Sequence, residues 1–378
     1  MNQRAYICYG NKVNAKIVLF GLILFVVLVL LVFIVNFYPA IAGNFVLPSG
    51  KGVSLRVGAV LPLTGNASGV GESLRQGLEW KVDELRSQRY PIELIVEDSQ
   101  SDSKQAVSAF NSLVDLKGVN IVFTISSSSG MSLKPLAEQR KVLLWADITH
   151  PEFTNGTRFA LRHSNIVDYD AKVMARAVVS DSNIKKVVVF SQQDDFGKSF
   201  GSKLADIFGS IGITAIILPI DSKSADFRAE ITKAAALNPD AFIFIAVGSS
   251  AGYLIKQSKE LGYAGKLFSS VGFVLTSDAQ KVAGDSALGT YYQTYEINDL
   301  FEKDYMQKFG SKPSIVGYIG YTDIELLVSA VNAVQSNSPE KIVDYIKGLQ
   351  KFYGKYESLE ISPNGDIVIP TIIKEWNG

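Results

Sequence analysis

Four consecutive hydroxyls, Ser126, Ser127, Ser128 and Ser129, stand between a short apolar run at residues 121–124 and a helical pattern at residues 133–140. Two chemistries suit such a run. A serine attacks a carbonyl when a histidine takes its proton, and serines at a helix start bind an anion through hydroxyls and free backbone N–H groups. The first chemistry lacks a nearby base. No Gly-x-Ser-x-Gly elbow occurs, and the only histidines are His150 and His163, whose proximity in space is left open by the sequence. Helix capping is the plainer role of these serines, but it needs only one of the four.

Other apparent motifs fail on inspection. Gly69-Val70-Gly71 follows a strand pattern and opens a helix, as a dinucleotide loop would, but Leu74 replaces the third glycine. Gly197-Lys198-Ser199 imitates the end of a phosphate loop, yet Gln192 stands where its first glycine belongs. The adjacent acids Asp194 and Asp195 could do acid–base work, although neighbouring acids in a loop are ordinarily solvated. The single cysteine, Cys8, precedes a long apolar segment, which excludes thiol catalysis and Cys-based zinc sites in everything beyond it. With two histidines a multi-histidine metal centre is also disfavoured, so neither metal nor cofactor is expected. Lys+Arg and Asp+Glu balance at 37 each, a composition that gives nucleic acid no electrostatic footprint. Catalysis therefore lacks a convincing set of residues, and no enzyme is expected.

The elements that must position these residues read as α/β. From residue 54 onward, short β-branched runs alternate with longer helical patterns, as in parallel sheets covered by helices. The spacing predicts strands at residues 55–61, 92–97, 121–124, 143–146, 186–191, 215–219, 241–246 and 267–270. Helices are expected at 72–86, 104–116, 133–140, 169–180, 197–211, 225–237 and 251–261. In the first of these, Leu74, Leu78, Val82 and Leu85 form one apolar stripe while Arg75, Glu79, Lys81 and Glu84 face elsewhere. Two successive sets of such units exceed one usual domain and favour two similar lobes.

The N-terminal region differs in kind. Residues 17–35 are an unbroken apolar run of 19, enough at about 1.5 Å per residue to cross a hydrocarbon core of roughly 30 Å. Arg4, Lys12 and Lys16 precede it and the next basic residue is Lys51, so residues 1–16 are expected in the cytoplasm and the bulk outside. Ala40-Ile41-Ala42 offers the alternative of a cleaved signal peptide, but the run exceeds the usual apolar length of about 7–15 residues. Residues 36–52, with Pro39, Pro48 and several glycines, read as a linker. Asn66-Ala67-Ser68 and Asn155-Gly156-Thr157 would permit glycosylation outside a cell, a pattern too short to weigh much.

Several ordered segments resemble the type I periplasmic binding protein family, in particular its branched-chain amino-acid branch. Val57-Gly58-Ala59-Val60-Leu61-Pro62-Leu63-Thr64-Gly65 is similar to its first strand and ligand loop, and Val96-Glu97-Asp98-Ser99-Gln100-Ser101-Asp102 to the acidic turn after the second. Asn238-Pro239-Asp240-Ala241, Lys256-Gln257 and Leu261-Gly262-Tyr263 resemble a strand and helix of its second lobe. Gly320-Tyr321-Thr322-Asp323 and Ser362-Pro363-Asn364-Gly365-Asp366 resemble its late helix and final crossing. The resemblance implies a two-lobed fold of Rossmann-like parallel sheets with hinge crossings, placed near residues 168, 294 and 357. Lobe I would then comprise residues 53–168 and 294–356, and lobe II residues 169–293 and 357–378.

It also implies a site. Ser127 and Ser128 would hold a ligand carboxylate, with Asp147, Ile148 and Thr149 contributing from the next strand end. Phe196 would cover the ligand from the facing lobe, and Ser68, Gly248 and Ser249 would line the remaining wall. Where the family often carries an acid for a ligand ammonium, this chain has Val271-Gly272-Phe273. Either Asp147 or Asp195 replaces that acid, or the guest is not an α-amino acid. The implied role is capture of a small carboxylate for an ABC permease, with a ligand-sensing ectodomain as the alternative. The short segment 1–16 offers no output domain for the latter.

Overall fold

The computed structural model describes residues 53–65 and 67–378; the expected anchor and linker lie outside the described residues. Among those described, no helix is long and apolar enough to cross a membrane.

The first half alternates strand and helix through β1 (Leu55–Leu61), α1 (Ser68–Ser87), β2 (Ile92–Asp98), α2 (Ser103–Asn111), β3 (Ile121–Ile125), α3 (Ser127–Arg140) and β4 (Leu143–Asp147), and β5 (Ala160–His163) then follows with no helix between. The same plan then repeats. It runs α4 (Val167–Val179), β6 (Lys186–Gln192), α5 (Asp195–Ser210), β7 (Thr214–Ile220), α6 (Arg228–Ala235), β8 (Ala241–Ile245), α7 (Ser249–Glu260), β9 (Lys266–Ser269), α8 (Ser277–Ala283) and β10 (Tyr291–Tyr295). Three helices follow, α9 (Asp299–Phe309), α10 (Ile315–Val334) and α11 (Pro339–Gly348), then β11 (Lys351–Tyr353), β12 (Ser358–Ile361), β13 (Asp366–Val368) and β14 (Thr371–Glu375).

Two sheets result, ordered β11-β12-β13-β5-β4-β3-β1-β2 and β14-β10-β9-β8-β6-β7. Each is covered on both faces, because a strand sends successive side chains to opposite sides. In lobe I, Val57, Ala59, Phe123 and Trp145 pack beneath α1, α10 and α11, while Val60, Val122 and Leu144 pack with Phe110 and Leu133 on the other face. In lobe II, Phe190, Phe242 and Phe244 serve one face and Val189, Ile243 and Ile245 the other. A Cβ added at Gly77 would lie 2.0 Å from the carbonyl oxygen of Gly317, so α1 and α10 cross at backbone contact.

The chain crosses between the lobes after β5, after β10 and between β13 and β14. The first two crossings fall close to residues 168 and 294. The third corrects the expectation of residue 357. β12 and β13 are antiparallel partners within the first sheet, and the Ser-Pro-Asn-Gly turn at 362–365 closes that hairpin, with Gly365 at φ 89°. Turn chemistry marks a reversal, and here the reversal stays in one lobe.

Buried polar contacts stitch the crossings together. Asn165 accepts from the Ile369 N–H at 3.1 Å and donates to Thr371 Oγ1 at 2.6 Å. Thr371 donates to Asp170 Oδ1 at 2.7 Å, and Gln293 Nε2 donates to the Asp170 carbonyl at 2.8 Å. Burial pushes Asp170 up to about 6.

Candidate ligand-binding site

In both sheets the first strand of the lobe lies between the second and third, so the crossover connections leave β1 and β6 in opposite directions. Such a reversal opens a crevice beyond the carboxyl ends of the strands. The two crevices face one another across a cavity of about 220 Å³. Its walls include residues at or just beyond strand ends: Pro62 after β1, Ser126 to Ser129 after β3, Gln192 at the end of β6 and Asp194 beyond it, Val247 after β8 and Val271 after β9.

The helix α3 begins inside this cavity. Ser126 is its cap, with φ 85°, a left-handed conformation costly for serine, and its Oγ accepts from the Ser129 N–H at 3.3 Å. Gly130 N–H is taken by the Ser126 carbonyl at 3.0 Å. Among the described residues the N–H groups and hydroxyls of Ser127 and Ser128 have no protein partner, and both residues line the cavity. Two amides, two hydroxyls and the positive end of a helix dipole thus converge on one anion position.

Next to it stands an acid. Asp147 ends β4, its Cα in register with Ile125, and its carbonyl accepts from the Ser126 N–H at 3.4 Å. Asp147 lines the cavity. Burial pushes the group up to about 7, with Asp323 and Asp170 adding to the rise and His163 and the Ser164 hydroxyl opposing it. Ser164 and Tyr295 line the same wall, at the ends of two crossings. Behind this layer His163 Nδ1 lies 2.6 Å from Asp323 Oδ1. Burial alone would strip the imidazole of its charge, but Asp323, Glu357 and Asp147 outweigh it and raise the pKa.

Lobe II supplies the opposite wall. Gln192 Oε1 accepts from the Val247 N–H at 3.2 Å while its amide donates to Asp194 Oδ2. Asp194 Oδ1 caps α5 by accepting from Gly197 N–H at 2.8 Å. Phe196 lies in the first turn of α5, its ring 5.8 Å from that of Phe200 in an edge contact, and Lys223 reaches the cavity from beyond β7. The lobes touch: a Cβ on Gly69 of α1 would meet Asp278 and Thr276 at the start of α8.

Of the residues singled out in the sequence, Ser127, Ser128, Asp147, Ile148, Thr149, Phe196 and Val271 line the cavity together. Ser68, Gly248 and Ser249 do not. Ser68 begins α1, and its neighbours Ala67 and Val70 face the cavity instead. Gly248, at φ 64°, gives its N–H to the Gly272 carbonyl at 3.1 Å, and Ser249 opens α7 away from the wall. Asp195 does not line the cavity either. Neither histidine does: His150 accepts from the Glu152 N–H and His163 is committed to Asp323. Ser101, Ser103, Ser164, Gln192, Ser222, Lys223 and Tyr295 are wall residues that the sequence does not single out. The available signal is position, since each stands at or beyond a strand's carboxyl end. Among the described residues no group of His, Cys, Asp and Glu is arranged to hold a metal ion.

This arrangement of two doubly wound lobes around one cleft is the type I periplasmic binding protein fold. A family model described as periplasmic binding protein matches residues 54–368, and the chain belongs to that family. An amino acid binding protein of Pseudomonas aeruginosa is 23% identical over 338 residues, 85% of this chain and 90% of the relative. Among solved structures, a leucine binding protein from Thermotoga maritima superposes with a TM-score of 0.79 at 23% identity, covering 85% of this chain and 95% of the other. A solute binding protein of an ABC transporter from R. palustris, solved with benzoate, gives 0.79 at 18% identity, covering 86% and 94%.

Proposed function

We propose that this chain captures a small carboxylate-bearing solute by closing its lobes around it, and delivers it to an ABC importer outside the cytoplasmic membrane. The observation that carries the reading is the start of α3, where Ser127 and Ser128 line the cleft between the lobes with amides and hydroxyls that have no protein partner among the described residues. A carboxylate fits those donors as a point of attachment, and the apolar side chains of Ile148, Val247, Val271 and Phe196 suit a small organic remainder. The relatives support it in kind, one an amino acid binding protein and one holding benzoate. We read the site as binding and not catalytic because the serines have no histidine beside them in the wall. The apolar run at residues 17–35 would retain the lobes at the membrane, raising their effective concentration near a permease.

The test is a thermal-shift and calorimetric screen of the full-length chain against amino acids, amides and aromatic and aliphatic carboxylates, with recovery of the ligand afterwards. Saturable binding of a carboxylate recovered unchanged is the expected result. Turnover of the ligand, or binding confined to molecules without a carboxylate, would overturn the reading.

A further inference from the structure

Of the three charged residues in the cavity wall, Asp147, Asp194 and Lys223, only one is a cation. Asp194 is engaged on both oxygens, by the Gly197 N–H and by Gln192. Lys223 has no counterpart: among the described residues no carboxylate lies within ion-pair distance of its ammonium. An unpaired lysine on an open surface is ordinary. Lys223 is instead held at the wall of a cleft. Its N–H donates to Asp221 Oδ1 at 2.9 Å, and the Ser224 N–H closes the turn onto the Asp221 carbonyl at 3.0 Å. Buried Ser250 of α7 donates to the Ser222 carbonyl at 2.8 Å, so the loop that carries the lysine is fixed both within itself and from behind.

Topology sets its place along the cleft. β2 and β7 are the sheet edges farthest from the crossings, and beyond them stand Ser103 on lobe I and Lys223 on lobe II. The start of α3 lies beyond β3, two strand positions in from β2, which is roughly 10 Å at the usual strand spacing. Ser103 opens α2 and lines the cavity, and its hydroxyl has no protein partner among the described residues. A molecule fastened by a carboxylate at α3 therefore meets this hydroxyl and this ammonium only with its far end, and the group that suits an unpaired ammonium is an anion. We infer that Lys223 is a specificity-determining residue of this cleft, and that the solute carries a second anionic group at the end remote from α3, as a dicarboxylate does. This rests on the carboxylate reading above and adds to it the far end of the guest.

The rival arrangement is a solvated lysine at the rim, adding only a general positive potential. The two differ in what the lysine discriminates. A rim charge favours every anion that approaches, and salt screens it, whereas a subsite acts on the second anionic group and leaves molecules without one behind.

The experiment uses probe pairs of equal carbon number that differ by one terminal carboxylate: hexanoate with adipate, octanoate with suberate, and L-norleucine with L-2-aminoadipate. Calorimetry on the full-length chain, on Lys223→Met and on Lys223→Glu, near neutral pH and at low salt, reads the preference within each pair. Expected in at least one pair is binding of the dicarboxylate at least roughly tenfold tighter than its partner, the value of one hydrogen bond between charged groups. Lys223→Met should weaken that dicarboxylate at least about tenfold more than the monocarboxylate, and Lys223→Glu should turn the preference round. Equal or tighter binding of the monocarboxylate in every pair, a preference that survives in Lys223→Met, or an equal loss for both members of a pair would overturn the inference. The unmutated chain's own preference decides the matter even if a variant folds poorly. Failure of every probe, with one carboxylate or two, would instead remove the function reading beneath it, and the inference with it.

Discussion

Arg162 donates from Nη1 to the carbonyl oxygen of His150 at 2.6 Å. The same buried guanidinium holds Asp366 Oδ1 from Nε at 3.0 Å and from Nη2 at 2.8 Å, and reaches Thr154 Oγ1. One cation thus fastens the loop that begins with Asp147, Ile148 and Thr149 to β13, far along the chain. Replacing it with a neutral side chain leaves Asp366 without its cation. Arg162→Met should therefore cost about 3–5 kcal/mol in urea unfolding, and Arg162→Lys should recover only part, lacking the planar fork. A loss under about 1 kcal/mol would show that the pair does not hold this loop.

The serine run separates into two tasks that mutation can distinguish. Ser126 Oγ caps α3, so Ser126→Ala should lower stability by about 1 kcal/mol. Ser127→Ala should leave stability nearly unchanged and weaken the best carboxylate found in the screen by about tenfold, the value of one hydrogen bond to a charged group. Calorimetry decides it, and an unchanged dissociation constant would sink the role of that hydroxyl.

Burial raises Asp147 and Glu357 to about 7 and Asp170 to about 6. Between the ordinary carboxylate range and those values the folded chain holds more protons than the unfolded one, so stability falls as pH rises through that window. His163, also raised, acts in the same direction, its contribution fading as pH climbs past its folded pKa. The ligand-free protein should be less stable at pH 8 than at pH 5, by an amount on the order of 1–3 kcal/mol, and should melt lower. Asp147→Asn should flatten part of that slope. A melting temperature that rises steadily from pH 5 to pH 8 would contradict this.

Gly69 tests closure. A Cβ there would lie 2.4 Å from Asp278 Oδ2 and 3.2 Å from Thr276 Cγ2 across the cleft. Gly69→Val should hold the lobes apart, weaken ligand binding by about tenfold and leave a larger radius by solution scattering at saturating ligand. Identical scattering and affinity would mean that the contact plays no part in closing.

The α/β alternation is legible in the sequence because doubly covered strands are short and apolar. The pattern matches β1 to the residue, and β6, β7 and β8 within one at either end. For α3 the apolar spacing starts at Leu133, six residues after the helix begins, since serines break the apolar pattern while their caps sustain the helix. β5 is hidden for another reason. Its Arg162 and His163 are fully buried, and a strand with two charges does not read as apolar. Their partners, Asp366 and Asp323, lie 204 and 160 residues away, beyond any local pattern. A hidden β5 conceals Ser164, and the aromatic strand β10, equally hidden, conceals Tyr295. Ser222 and Lys223 follow a strand that the pattern does show, yet only the approach of the two lobes brings them to the wall.

The third crossing has a consequence for how the chain is made. The first sheet contains β11 to β13 and the second contains β14, at residues 371–375. Neither sheet can be completed before residues 351–375 have been made. Each sheet must therefore wait for strands that are made only after the whole parallel core of the other lobe.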